Sequence, residues 1–127
     1  MSRISVLIVD DHEGFLESAE RFLKTLPNIK VAGRARNGRE AVEMAESLAP
    51  DVVLMDLAMP EMGGLQATRL IKAQSSPPWV VVVSHYDDAQ HREHAAKAGA
   101  DAFVSKLWYV HEIREVLQIF EKRCAHV

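Results

Sequence analysis

Apolar positions along this chain keep two rhythms. Short runs rich in β-branched residues read as buried parallel strands: Ile4-Ser5-Val6-Leu7-Ile8-Val9, Val52-Val53-Leu54-Met55, Trp79-Val80-Val81-Val82-Val83 and Ala102-Phe103-Val104-Ser105. Between them the spacing turns helical. Phe15, Leu16, Ala19, Phe22, Leu23 and Leu26 repeat at three and four and predict a first helix, closed by Pro27-Asn28. Lys30–Ala35 predicts a weak, short second strand suited to a sheet edge. After the Asn37-Gly38 turn, Arg39–Leu48 predicts a helix with Val42, Ala45 and Leu48 facing inward and Pro50 as its stop. The third strand spans Asp51–Asp56, and Leu57–Gly64 is a loop in which Gly63-Gly64 supplies flexibility before a helix from Leu65 to about Gln74. A polar link, Ser75–Pro78, leads into the fourth strand. Asp87-Asp88 then supply N-terminal negative charge to a helix over Ala89–Ala98, which Gly99 breaks. Its inner face is mostly alanine, so it buries little area and is expected to be the loosest helix. A last helix from about Val110 carries Ile113, Val116, Leu117 and Phe120 on one stripe.

Five strands alternating with five helices predict a doubly wound α/β sandwich with right-handed crossovers and the strand order 2-1-3-4-5. In a parallel sheet all C-terminal strand ends share one edge. Ligands of such folds sit outside that edge where the order reverses, here between the first and third strands. Polar residues end the runs at this edge: Asp10-Asp11, Asp56, Ser84 and Lys106. Taken singly, each has an ordinary explanation as a turn or cap residue. Taken together, three carboxylates on neighbouring strands repel one another and need a cation. Mg²⁺ suits an all-oxygen site, and no soft ligand points to zinc or copper. Lys106 brings a fixed positive charge. Asp56, with a strand on each side, is a carboxylate that can attack phosphorus, and Ser84 offers a hydroxyl to a phosphoryl oxygen.

Composition adds exclusions. A length of 127 residues allows one domain, 1–127 with a core of about 4–121. The net charge of −3, with no basic run or basic helix face, argues against direct nucleic-acid binding by this domain. Cys124 is the only cysteine, so no internal disulfide forms, which suits a cytoplasmic location; Cys124 is expected to be a passive tail residue. No signal peptide and no apolar run near the spanning length of roughly 20 residues is found. His91 and His94, three apart, read as a solvated helix face without a third metal ligand. His12 and His85 flank the acidic residues and are expected to tune their charge below neutral pH. Trp108 and Tyr109 begin the last helix, where a core and an interface role are both open.

At these residues the chain resembles the receiver domain of bacterial two-component response regulators, a flavodoxin-like fold. The resemblance runs from Ile4 to about Phe120 through Val9-Asp10-Asp11-His12-Glu13, Pro50-Asp51-Val52-Val53-Leu54-Met55-Asp56-Leu57-Ala58-Met59-Pro60 and Ala98-Gly99-Ala100-Asp101-Ala102-Phe103-Val104-Ser105-Lys106. With Asn37-Gly38-Arg39-Glu40-Ala41, it is most similar to receivers of the NarL/LuxR type, which precede a helix-turn-helix DNA-binding domain. The resemblance implies that Asp56 is the phosphoacceptor and that the donor is a phosphohistidine on a sensor kinase or phosphotransfer protein. It implies that Mg²⁺ is held by Asp11, Asp56, the backbone carbonyl of Ala58 and, through water, Asp10. Lys106 then pairs with the phosphoryl group, Ser84 moves to hydrogen-bond it, and Phe103 turns inward. This repacks the face of the fourth helix, fifth strand and fifth helix, which is also the usual dimer face. Ala58 and Tyr86 hold the positions that face attacking water, which implies slow self-dephosphorylation with Tyr86 as a shield. Leu107 stands where many receivers have proline, often in a cis peptide, and Gly63 where an acid is frequent. No effector domain is seen, so either the chain is a cut fragment or it acts by itself through protein contacts. As a signalling phosphoacceptor it would catalyse only its own phosphorylation and dephosphorylation. The alternatives are a Mg²⁺-dependent phosphohydrolase of the haloacid dehalogenase type, which would want Asp-x-Asp and a cap domain, and a receiver-like interaction module that is never phosphorylated.

Overall fold

Each apolar run becomes a strand, and those in the middle of the sheet are shielded from water on both faces. The computed structural model describes residues 3–125, except the side chains of Cys124 and Ala125, so the tail role expected for Cys124 lies outside the described residues. The strands are β1 (Ile4–Val9), β2 (Ile29–Ala35), β3 (Val52–Met55), β4 (Trp79–Ser84) and β5 (Ala102–Ser105), all parallel, in the order β2-β1-β3-β4-β5. No residue of β3 is more than 2% exposed. Fully burying one Val or Leu contributes about 1.5–3 kcal/mol, so these runs are the main source of stability.

The helices are α1 (Glu13–Leu23), α2 (Gly38–Leu48), α3 (Gly64–Lys72), α4 (Ala89–Ala98) and α5 (Tyr109–Ala125). Strand residues alternate between two cores. Ile4, Val6 and Ile8 pack with Leu16 and Leu23 of α1 and with Ile113, Leu117 and Phe120 of α5. Leu7 and Val9 pack with Ala41 and Ala45 of α2 and with Ala67 and Ile71 of α3. The small residues of α2 and α3 let those helices sit close to the sheet.

Most predicted elements stand within a residue or two of their expected ends, and α4 matches at both. Four details differ. The first helix stops at Leu23, and Leu26 lies in the following turn, where its backbone N–H donates to Leu23 O. The second strand starts one residue earlier than expected, because Ile29 pairs with Ile4. The last helix follows one 3-10 turn over Lys106–Trp108, and no peptide bond among the described residues is cis. Neither Gly63 nor Gly64 has a positive φ, and the need for glycine at position 64 is one of space. A Cβ at Gly64 would overlap the Asp56 carbonyl oxygen, so the glycine lets α3 begin directly against the end of β3.

The alanine-rich α4 buries only Ala95 and Ala98. Its N-terminus is nonetheless capped, with the Asp88 side chain accepting from the His91 N–H at 2.9 Å. A well-capped helix with little buried area opens locally before the rest of the fold. Amide hydrogen exchange is therefore expected to proceed faster in Ala89–Ala98 than in the middle of α3 or α5; equal protection across the three would contradict this account.

Candidate functional site

Strand register decides which polar residues meet. Val9 pairs with Met55 and Met55 with Val82, so the residues that follow β1 and β3 emerge side by side. The Asp56 N–H donates to Val9 O at 3.0 Å, and the Asp10 N–H donates to Ala35 O at 3.0 Å, fixing both backbones at the rim. Ser84 ends β4 opposite Ser105, and Lys106 follows immediately.

Asp10 is fully buried, and Asp56 is 6% exposed. Lys106 Nζ lies 2.6 Å from Asp10 Oδ2 and 3.3 Å from Asp56 Oδ1. Asp10 Oδ2 is buried, and the Lys106 ammonium is the cation at its side. The other oxygen, Asp10 Oδ1, accepts from the His12 N–H at 2.9 Å, with His12 Nδ1 at 3.1 Å. His12 Nδ1 also lies 3.1 Å from Asp11 Oδ1. His12 thus bridges the two carboxylates rather than merely flanking them, while His85 is exposed.

Burial pushes the Asp56 carboxyl up to about 6, and the Asp10 charge pushes the same way; Lys106 opposes both without cancelling them. Three carboxylates face one ammonium. Among the described residues, Asp10, Asp11, His12 and Asp56 are the group compact enough to hold an ion, each offering a ligand atom within 4.8 Å of the others. Hard oxygen donors brought together and more carboxylates than the one ammonium can balance fit Mg²⁺.

The remaining predicted residues divide. Ser84 is buried, and its Oγ accepts from the Tyr86 N–H at 3.0 Å. Phe103 is half-buried on β5, with the Arg92 guanidinium 4.7 Å above its ring. Ala58 and Tyr86 line one shallow groove with Leu57 and His91, and the Tyr86 and His91 rings stack at 5.2 Å. His91 pairs with Asp88 on an exposed face, as a solvated histidine would. Trp108 is 66% exposed, whereas Tyr109 turns inward, its hydroxyl 2.6 Å from Ser18 Oγ. Sequence reasoning passed over Ser105 and Glu112, which brace the turn after β5. Ser105 Oγ accepts from the Leu107 N–H, and the Ser105 N–H donates to Glu112 Oε1 at 2.9 Å. A serine just before Lys106 was the available signal for the first; the second is a tertiary contact.

This geometry agrees with what comparison with known proteins finds. Residues 6–118 match the family model described as the response regulator receiver domain. The chain belongs to that family. Relatives include the transcriptional regulatory protein DegU of Brevibacillus brevis, 32% identical over 99% of this chain and 53% of its own length. LiaR of Bacillus subtilis (strain 168) is 36% identical over 94% of this chain and 56% of its own. The chain thus spans about half the length of these curated relatives. Among solved structures, the signal receiver domain of the putative response regulator NarL from Mycobacterium tuberculosis superposes with a TM-score of 0.89 at 30% identity, covering 95% of this chain and 98% of that one. The flavodoxin-like receiver fold and the resemblance to NarL/LuxR-type regulators are thereby established, and nothing in them supports the phosphohydrolase alternative. As a receiver domain this is a signalling module of two-component systems. No described helix is long and apolar enough to cross a membrane.

Because the folded state raises the Asp56 carboxyl above its ordinary value, folding favours its protonated form. Stability from this group is complete below pH about 4, the unfolded value, and is lost as pH rises through about 6. Asp56→Asn is therefore expected to stabilise the metal-free protein at pH 7.5 by on the order of 2–3 kcal/mol. The gain should shrink below pH 6 in thermal denaturation with EDTA present. A gain independent of pH, or none, would contradict the assigned cause.

Proposed function

We propose that Asp56 accepts a phosphoryl group from a phosphohistidine of a sensor kinase or phosphotransfer protein. The single observation that carries this reading is the pairing of a nearly buried Asp56 with an ammonium at 3.3 Å and a second buried carboxylate beside it. An Asp56 carboxylate oxygen attacks phosphorus in line, the P–N bond breaks, and the imidazole leaves with a proton. Lys106 stays at the rim to meet the charge of the transferred group. Asp11, Asp56, the Ala58 carbonyl and, through water, Asp10 would hold Mg²⁺, which when bound offsets the carboxylate charge and that of the phosphoryl oxygens.

Switching follows from contacts that the phosphoryl group competes for. Ser84 Oγ accepts from Tyr86 N–H in the present state, so drawing Ser84 toward Asp56 costs that bond and disturbs the loop before α4. Phe103 gives up its stacking with Arg92 when it turns inward. Both changes fall on α4 and β5, so the face of α4, β5 and α5 carries the signal, through a homodimer or another partner. DegU and LiaR are transcriptional regulators of about twice this length, which supports a DNA-binding output controlled by this domain. The domain itself makes no nucleic-acid contact in this reading. Its only catalysis is its own phosphorylation and dephosphorylation.

Incubation with Mg²⁺ and acetyl phosphate, followed by intact mass, is expected to show one added phosphoryl group, absent in Asp56→Asn and absent with EDTA. Steady phosphate release without an adduct, or no reaction, would sink the reading. Ala58 carries no group able to hold a water, and Tyr86 shares its groove. Tyr86→Ala is accordingly expected to shorten the adduct's half-life several-fold; an unchanged decay rate removes the shielding role.

A further inference from the structure

A third neighbour of Lys106 is neither acid nor hydroxyl. Its Nζ lies 4.7 Å from the centroid of the Phe15 ring, in the first turn of α1. We propose that Phe15 is a positioning residue for phosphoryl transfer, its ring face holding the Lys106 ammonium beside Asp56 without neutralising it. This rests on the reading of Asp56 as phosphoacceptor.

Lysine ends a long flexible stem, and the two acids do not pull on it equally. Asp10 Oδ2 at 2.6 Å is nearer than Asp56 Oδ1 at 3.3 Å, so the acids alone draw the ammonium toward β1 and away from the phosphoacceptor. An aromatic face attracts a cation through its quadrupole and takes up no hydrogen-bond donor. The charge and the N–H groups of Lys106 therefore stay available to an incoming phosphoryl oxygen. A third carboxylate in that place would hold the ammonium but cancel it. Leucine would fill the room with no attraction.

The ring is itself fixed. Tyr109 meets it edge-on at 5.0 Å and an interplanar angle of 61°, and Phe22 stands 6.2 Å from Tyr109 on the far side. The Tyr109 hydroxyl is tied to Ser18 Oγ at 2.6 Å. Lys106 opens the 3-10 turn and Tyr109 follows it, so a single short segment carries both the ammonium and the clamp on the ring beneath it. Phe15 follows the Asp10-Asp11 pair by four residues, so the end of β1 delivers the acids and the start of α1 delivers the ring.

The plain alternative is that Phe15 is only an apolar core residue, which a leucine would replace with some loss of stability. Two variant series separate these. The full chain carrying Phe15→Leu is phosphorylated with acetyl phosphate while Mg²⁺ is varied, and the rate is followed by intact mass. The maximal rate is expected to fall on the order of tenfold, with the half-saturating Mg²⁺ concentration unchanged. Phe15→Tyr should restore most of it. Replacing Phe15 by mono-, di- and trifluorophenylalanine keeps the shape and drains the ring face of charge, so the rate should fall stepwise along that series. A flat fluorination series, or a Phe15→Leu protein with lower Tm but the wild-type rate, overturns the positioning role. A wild-type chain that takes no phosphate overturns it together with the phosphoacceptor reading, and is told apart because the variants then have nothing to lose.

Discussion

The site depends on crowding like charges where the sheet order reverses. Asp10 and Asp56 leave neighbouring strands side by side, one fully buried and the other nearly so, and among the described residues Lys106 is the one ammonium paired with both. One positive charge cannot balance three carboxylates. The remainder appears as a raised Asp56 carboxyl. In energetic terms the folded protein carries a local cost that a divalent cation, a proton or a phosphoryl–magnesium pair can relieve. A site in that condition responds to its ligands because its resting state is unsatisfied.

The scaffold makes this tolerable. Strands β1, β3 and β4 are shielded on both faces and cannot drift, so the carboxylates cannot separate to relax their repulsion. The start of α3 is seated against the Asp56 carbonyl, an approach that only glycine at position 64 allows. Rigidity at the acids contrasts with the other end of the sheet. There α4 buries two alanines, the Ser84 hydroxyl accepts from the Tyr86 N–H, and the Arg92 guanidinium lies over the half-buried Phe103 ring. The fold concentrates strength where charge must be held and leaves weakness where movement is useful.

The chemistry was legible early because the polar residues stand at the ends of long apolar runs. A run such as Trp79–Val83 can only be a buried strand, and in a parallel sheet its end must lie on the same edge as the others. That reasoning reached Asp10, Asp11, Asp56, Ser84 and Lys106 without coordinates. Helix ends were harder. Leu26 keeps the helical spacing of α1 yet sits in a turn, because apolar spacing alone does not show where backbone hydrogen bonding changes. The glycine pair before α3 looked flexible in one dimension, and Gly64 proved to be a requirement of close packing.

What the linear pattern determined is the strand and helix sequence, the edge on which chemistry occurs and the acids that occupy it, since burial of β-branched runs and the geometry of parallel strands leave few alternatives. What the tertiary structure alone decided is the division of labour among those charges. Asp10 takes the shorter contact with Lys106, His12 bridges the first two acids, and the ammonium rests over the ring of Phe15. Tyr109 and Trp108, adjacent in sequence, go to opposite environments. Such choices turn on ångström-scale differences in side-chain direction among distant residues. No local spacing encodes them; they are settled only when the helices have docked on the sheet.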